Sequence, residues 1–254
     1  LATAQAVAAF GAGVEQDDGN WVVRGGSWRA PDGSVDCGNS GTAARLLMGA
    51  VAGMAGVRAT FTGDASLSSR PMKRVVTPLR RMGASVDGGE QLPITIEGSR
   101  LSGIEHRNAP ASAQVKSAIL LAGMGTNAPV TVIEPMPSRD HTEIKLRQFG
   151  CEVESDGDLI RLGDQRTLRS CEIRIAPDPS SSAFPLVAAA IIPDSDVIAR
   201  GMLVNPLRTG LYEVLEEMGA DIELSGERTQ SGEIVADVRI RHSTLLPCHV
   251  RPAR

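Results

Sequence analysis

The chain has 254 residues and a net charge of −4, with 42% hydrophobic and only 3% aromatic residues. That composition buries a sizeable aliphatic core in one large or two smaller domains, and the absence of any Lys/Arg block argues against nucleic acid or a membrane as partner. Four cysteines (Cys37, Cys151, Cys171, Cys248) form no CxxC pair and no apolar run reaches membrane-span length, so a metal-free protein of a reducing, cytoplasmic compartment is expected.

In chain order, the sequence enters partway through a helix, "ATAQAVAAF", that stops at Gly11. The same ending, a bulky apolar residue, Gly and a small residue before a strand, recurs at Met82-Gly83-Ala84, Phe149-Gly150-Cys151 and Met218-Gly219-Ala220. The glycines stand 72, 67 and 69 residues apart, and each marks a left-handed helix C-cap. A second pattern keeps that period. Small-residue helices open at Gly41 ("GTAARLLMGAVAGM"), Ser112 ("SAQVKSAILLAGM") and Ser181 ("SSAFPLVAAAIIP"), and each leads into a strand: "VRATFTG", "PVTVIEP" and "SDVIARG". The unit of about 70 residues therefore runs helix, strand, helix, strand, with further strand before the next unit. The Ala-rich helices have few polar positions and are expected inside. "RPMKRVVTPLRRMG", "DHTEIKLRQFG" and "GLYEVLEEMG" are amphipathic and are expected outside. An α/β fold with inner helices, outer sheets and pseudo-threefold symmetry fits. On that plan the chain is incomplete: it holds two full units and ends in a ragged "HSTLLPCHVRPAR".

The stretch "DCGNSGTAARLLMG" (Asp36–Gly49) sets small polar residues against an apolar run, and two roles compete for it. Asn39, Ser40 or Thr42 can cap the first helical turn, or the unpaired N–H groups and positive dipole end can hold an anion. All three inner helices open alike, at "CGNSGT", "APASAQVKS" and "APDPSSSAF", and Gln114 and Lys116 follow the second start. Converging N-termini favour the anion. Arg70 precedes Pro71, which holds it in an extended or turn conformation where its planar fork can meet a carboxylate or phosphate. Arg139 in "SRDHTE" and Arg208 in "NPLRTG" occupy the equivalent place in the next two units. The alternative for "SRDHTE" is a capping box of Ser138 or Asp140 with Glu143, leaving Arg139 solvated. His141 is expected to be polar scaffolding, Cys37 a buried structural thiol, and Trp21, Trp28 and Tyr212 too isolated for a stacking platform.

Five segments, "GNSGTAAR", "SLSSRPM", "ASAQVKSAILLAG", "SRDHTE" and "DPSSSAFPLVAAAI", stand in the order and spacing of the 3-phosphoshikimate 1-carboxyvinyltransferases, or 5-enolpyruvylshikimate-3-phosphate synthases. The chain resembles that family from about Leu1 to about Thr244. The resemblance implies domains of three βαβαββ units each, inside-out α/β barrels with the helices within. It implies transfer of the enolpyruvyl group of phosphoenolpyruvate to the 5-hydroxyl of shikimate 3-phosphate, on the route to chorismate and aromatic amino acids. A tetrahedral intermediate forms by protonation of the vinyl methylene and attack by the hydroxyl. No metal or organic cofactor is implied, and the complete enzyme would be a monomer. Carried over by position, Gly41 resembles the glycine lining the phosphoenolpyruvate pocket, and Arg70 the arginine clamping that substrate. Ser112, Ala113 and Gln114 resemble the stretch that holds shikimate 3-phosphate, with Gln114 reaching both ligands. Ser138 and Arg139 resemble the residues near the 3-phosphate. The inhibitor glyphosate competes with phosphoenolpyruvate in this family, and Gly41 leaves room for it.

On the family's plan, residues 1–176 are most of a first domain with its first unit truncated. Residues 177–254 are the truncated first unit of a second, with the crossover near Pro177. The family's lysine-bearing "KS…R" segment and its C-terminal carboxylates find no match here, so no catalytic acid or base is assigned and the chain alone is expected to be inactive. Two other roles stay open. One is UDP-N-acetylglucosamine enolpyruvyl transfer, against which "SAQVKS" and "SRDHTE" count; the other is a non-catalytic module that captures a phosphorylated ligand.

Overall fold

All four repeat glycines take left-handed backbone, with φ of 98° at Gly11, 101° at Gly83, 88° at Gly150 and 87° at Gly219, a conformation that a Cβ disfavours. In the computed structural model, which describes residues 2–250, each of them closes a helix and hands the chain to a strand. Leu1 and the last four residues of the expected ragged end lie outside the described residues; His242 to Val250 carry neither helix nor strand.

The chain forms two units. One takes it to Ser138 and again over Cys151–Thr167; the other takes Arg139–Gly150 and everything from Leu168. In the first unit, α1 (Ala2–Ala9) and the hairpin β1 (Gly13–Asp17) and β2 (Asn20–Arg24) are the end of a repeat. A full repeat follows as β3 (Val35–Asp36), α2 (Gly41–Ala52), β4 (Arg58–Thr62), the single turn α3 (Ala65–Ser68), α4 (Lys73–Arg81), β5 (Ser85–Asp87) and β6 (Ile94–Glu97). The next runs β7 (Ile104–Arg107), α5 (Ala113–Gly123), β8 (Val130–Ile133), α6 (His141–Gln148), β9 (Val153–Asp156) and β10 (Leu159–Leu162), with α6 grouped in the second unit. Their sheets share one strand order, β3-β4-β6-β5 and β7-β8-β10-β9, the first pair parallel and the others antiparallel. This is βαβαββ twice. The second unit continues with α7 (Pro179–Ile191), β11 (Asp196–Leu203), α8 (Gly210–Glu217), β12 (Asp221–Gln230) and β13 (Glu233–Arg241). Its sheet order β11-β13-β12 is the same plan without the first strand.

The Ala-rich helices are inner, as their composition requires. Helices α2 and α5 touch backbone to backbone: a Cβ on Gly53 would stand 2.5 Å from the carbonyl oxygen of Ala122, and one on Gly49 2.6 Å from Ala118 Cα. Only small residues allow that approach. At the far end of α5, the Arg166 guanidinium donates to the carbonyl oxygens of Gly123 (2.9 Å), Ala128 (3.1 Å) and Gly163 (2.8 Å), and to that of Thr126. The side chain satisfies acceptors that a helix C-terminus leaves unpaired. Outer helix α4 buries Val75, Val76 and Leu79 and turns Lys73, Arg74, Arg80 and Arg81 outward. Trp28 stacks on Phe10 at 4.6 Å and so serves packing. Helix α7 starts two residues earlier than expected, because Asp178 caps it and Pro179 fits the first helical position.

Candidate functional site

In the first unit, the N-terminus of α2 is dressed in neutral groups. Ser40 Oγ accepts from Ala43 N at 3.1 Å, and Asn39 Oδ1 accepts from Arg70 Nη2 at 2.7 Å. Asn39 is oriented in turn, donating from Nδ2 to Asp64 Oδ2 at 2.7 Å, while Asp64 Oδ1 caps α3 by accepting from Leu67 N at 2.7 Å. The Leu67 amide, then Asn39, hold the Asp64 carboxyl below its ordinary range. Arg70 is thus fixed from behind by an amide, with Ser66 Oγ a further 3.3 Å partner.

Arg45 lies one turn into α2. Its Nη1 donates to Gln114 Oε1 at 2.8 Å and its Nη2 to the carbonyl oxygen of Pro71 at 3.0 Å; Gln114 Nε2 donates back to Thr42 Oγ1 at 2.7 Å. Burial, then the charges of Arg70 and Arg74, lower the pKa of the Arg45 guanidinium. Among the described residues, no carboxylate lies within 4.0 Å of Arg45, Arg70 or Arg74, and the nearby Asp64 acts on Arg70 only from further off, behind Asn39. Gly41 makes room for Arg45 and Arg70. A Cβ there would come 2.6 Å from Arg45 Nη1 and 3.4 Å from Arg70 Nη1. Gly41, Arg70 and Gln114 are therefore brought together, and what the corner offers is an anion site.

Ser112 and Ser138 form a second cluster in the same unit. Ser112 caps α5, its Oγ accepting from Val115 N at 3.5 Å, and Ala113 is the first helical residue. Ser138 Oγ donates to Glu134 Oε1 at 2.6 Å. The capping-box alternative for "SRDHTE" is not realised: the Ser138 hydroxyl turns to Glu134, and Asp140, with no cap bond to α6, accepts from Asn205 Nδ2 at 2.7 Å.

Arg139 lies in the second unit, exposed, where it lines a depression with Ser180, Leu207, Arg208 and Leu211. The N-terminus of α7 differs from that of α2. Asp178 Oδ2 accepts from Ser181 N at 3.0 Å, and Asp178 Oδ1 from Arg208 Nη2 at 2.6 Å. Burial pushes the Asp178 carboxyl up, but bonds from Ser181 and Ser180 and the Arg208 charge outweigh it and hold the group low. At this helix start a carboxylate of the chain itself, Asp178, stands beside the arginine.

A family model described as EPSP synthase (3-phosphoshikimate 1-carboxyvinyltransferase) matches residues 1–252. The chain belongs to the EPSP synthase family. It is 48% identical to the 3-phosphoshikimate 1-carboxyvinyltransferase of Caulobacter vibrioides, over 100% of this chain and 60% of that protein. To that of Phenylobacterium zucineum it is 50% identical, over 99% of this chain and 57% of the relative. The chain thus spans about 60% of the length of the curated relatives it matches. The solved EPSP synthase of Acinetobacter baumannii superimposes with a TM-score of 0.87 at 41% identity, covering 98% of this chain and 58% of that one. The enolpyruvyl transferase NikO of Streptomyces tendae follows at 0.71 and 16% identity, with 95% and 57% covered, a likeness of fold alone. The α/β enolpyruvyl transferase fold that the resemblance implied is therefore the fold of the chain.

In this chain, sequence reasoning missed Arg45. The signal was its place four residues after Gly41, on the same helix face. It also missed Asn39 and Asp64 as the pair that aims Arg70. Cys37 is no nucleophile: burial, then Asp36, push its thiol to about 11. His141 Nδ1 lies 3.0 Å from Glu233 Oε1, with Lys145 Nζ 3.7 Å from the same oxygen. Among the described residues no cluster of His, Cys, Asp and Glu could hold a metal, and no helix is long and apolar enough to cross a membrane.

Proposed function

We propose that this chain supplies substrate-binding surface of an EPSP synthase, which transfers the enolpyruvyl group of phosphoenolpyruvate to the 5-hydroxyl of shikimate 3-phosphate. The observation that carries this is the guanidinium pair of Arg45 and Arg70 around Gly41, neither in a salt bridge, joined to the second helix start through Gln114. Phosphoenolpyruvate has two anionic groups, and two planar forks beside helix N–H groups suit it. Gln114 bridges this corner to Ser112 and Ala113, where shikimate 3-phosphate would lie, with Ser138 and Arg139 near its 3-phosphate. Residues 1–176 are most of one domain and 177–254 the first unit of another, of a cytoplasmic enzyme that is monomeric when complete. We assign neither the general acid nor the general base to a residue of this chain.

Titrating phosphoenolpyruvate and shikimate 3-phosphate against the 254-residue chain, followed by 31P resonance, tests the proposal. Both signals are expected to broaden, the phosphoenolpyruvate signal not in Arg70→Gln, while phosphate release from the mixture stays at background. Absence of binding, or displacement by UDP-N-acetylglucosamine, would overturn it. Sustained phosphate release by the chain alone would contradict its expected inactivity.

A further inference from the structure

The ion pair of Lys116 and Glu134 has no role in the site as described so far. Both side chains are buried, 1% and 3% exposed, with Lys116 Nζ 2.7 Å from Glu134 Oε2. Stability alone is a weak reason for such a pair, since apolar residues of similar volume often serve as well. What the pair holds is specific. Glu134 Oε1 accepts from Ser138 Oγ and from Asn108 Nδ2, both at 2.6 Å, and Oε2 accepts from Ser138 N at 3.3 Å. Lys116 Nζ donates to the carbonyl oxygen of Ser138 at 3.2 Å. The N–H, the hydroxyl and the carbonyl of Ser138 are thus all gripped by one ion pair. Asn108, itself buried, extends the network by donating from Nδ2 to the carbonyl oxygen of Ser112 at 3.0 Å.

Proton placement separates the two serines. An ionised carboxylate only accepts, so the Ser138 hydroxyl proton is committed to Glu134. Ser112 Oγ accepts from Val115 N and keeps its own proton for a further acceptor. We infer that Glu134, with Lys116 and Asn108, is a positioning residue for the phosphorylated substrate: it locks Ser138 as a frame and sets Ser112 as the hydroxyl donor to the ligand's anionic oxygen. Lys116 cancels the charge of Glu134, which would otherwise repel that ligand. The inference rests on the function proposed above, since shikimate 3-phosphate is the ligand it assigns to these serines.

Two double variants of the 254-residue chain test it. Lys116→Met with Glu134→Gln removes both charges and keeps an acceptor for Ser138. Lys116→Met with Glu134→Leu removes both charges and the acceptor. Calorimetric affinity for shikimate 3-phosphate is expected to stay within about threefold of wild type in the Gln pair and to fall about tenfold or more in the Leu pair. The Gln pair should melt near the wild-type temperature and the Leu pair lower, since it leaves the buried donors of Ser138 and Asn108 without an acceptor. Equal affinities overturn the inference, because a merely structural role would not separate them. If the Leu pair does not fold, Asn108→Ala decides: a loss of about tenfold supports the inference and an unchanged affinity overturns it. A wild-type chain that binds no shikimate 3-phosphate sinks the proposed function, and positioning is then decided by hydrogen exchange at the Ser138 N–H and the Asn108 side-chain amide. Exchange faster in the Leu pair alone supports it; exchange unchanged in both pairs overturns it.

Discussion

Gly49 of α2 and Ala118 of α5 meet backbone to backbone, so closely that a Cβ on the glycine would stand 2.6 Å from Ala118 Cα. Gly53, one turn on, meets Ala122 in the same way. The spacing of the two helices is set by hydrogen atoms in place of side chains. That spacing also places Arg45, at the start of α2, within 2.8 Å of Gln114 at the start of α5.

Gly49→Ala is expected to cost about 3 kcal/mol or more, since the atoms in the way are backbone and cannot rotate aside. Gly89→Ala, where a Cβ meets nothing within 4 Å, is the control and should change stability by no more than about 0.5 kcal/mol. Urea unfolding of both variants compares them. Equal midpoints would mean that the helices can part at no cost.

Arg166→Met should destabilise by about 2–4 kcal/mol, because it leaves several carbonyl oxygens at the end of α5 without a donor. Arg166→Lys should recover only part of the loss, an ammonium having three donors and no fork. Thermal unfolding of the two variants checks the order; a Lys variant as stable as wild type would show that charge and not geometry holds this helix end.

At the anion corner, geometry is expected to count for more than charge. In an enzyme completed with the missing segments of a relative, Arg70→Lys should cost about 2–3 kcal/mol in kcat/KM for phosphoenolpyruvate and spare shikimate 3-phosphate binding. Gly41→Ala puts a methyl 2.6 Å from Arg45 Nη1 and so displaces the guanidinium tip from Gln114. The longer inhibitor glyphosate should then lose more affinity than phosphoenolpyruvate, which is read as a rise in the ratio of Ki to KM. A constant ratio would refute crowding as the cause.

Cys37 should be silent to thiol reagents. Its thiol, raised from 9.0 to about 11 by burial and Asp36, stays protonated at pH 8, whereas Cys171 is exposed. A thiol whose pKa is higher folded than unfolded stabilises the protonated, native state below pH 9 and loses that contribution as the pH rises towards 11. Mass spectrometry after iodoacetamide at pH 8 should find Cys171 modified and Cys37 intact. Modification of native Cys37 at a comparable rate would show that the thiol is reached.

What could be read in the sequence was what a local rule enforces. A left-handed C-cap calls for glycine, so Gly11, Gly83, Gly150 and Gly219 announced the repeat and its alternation of helix and strand. Proline after Arg70 announced the bend that aims it. The rest depended on partners distant in the chain. Lys116 and Glu134 are 18 residues apart with a helix end, a loop and a strand between them, and no periodicity links them. Arg45 sits inside a helical run where an arginine is ordinary, and only the arrival of Gln114 and Arg70 gives it a role. Ser138 looked like a cap for the helix that follows, but its hydroxyl turns back to donate to the buried carboxylate of Glu134.

Asp178 has a meaning beyond its own helix. A chain built by repeating one unit also repeats that unit's electropositive socket, the helix start with an arginine beside it. Arg70 meets the neutral Asn39 at the first helix start, and Arg208 meets the carboxylate of Asp178 at 2.6 Å at the third. A single side chain, an amide in one copy and a carboxylate in another, is enough to change the charge balance of a repeated frame while leaving its scaffold intact.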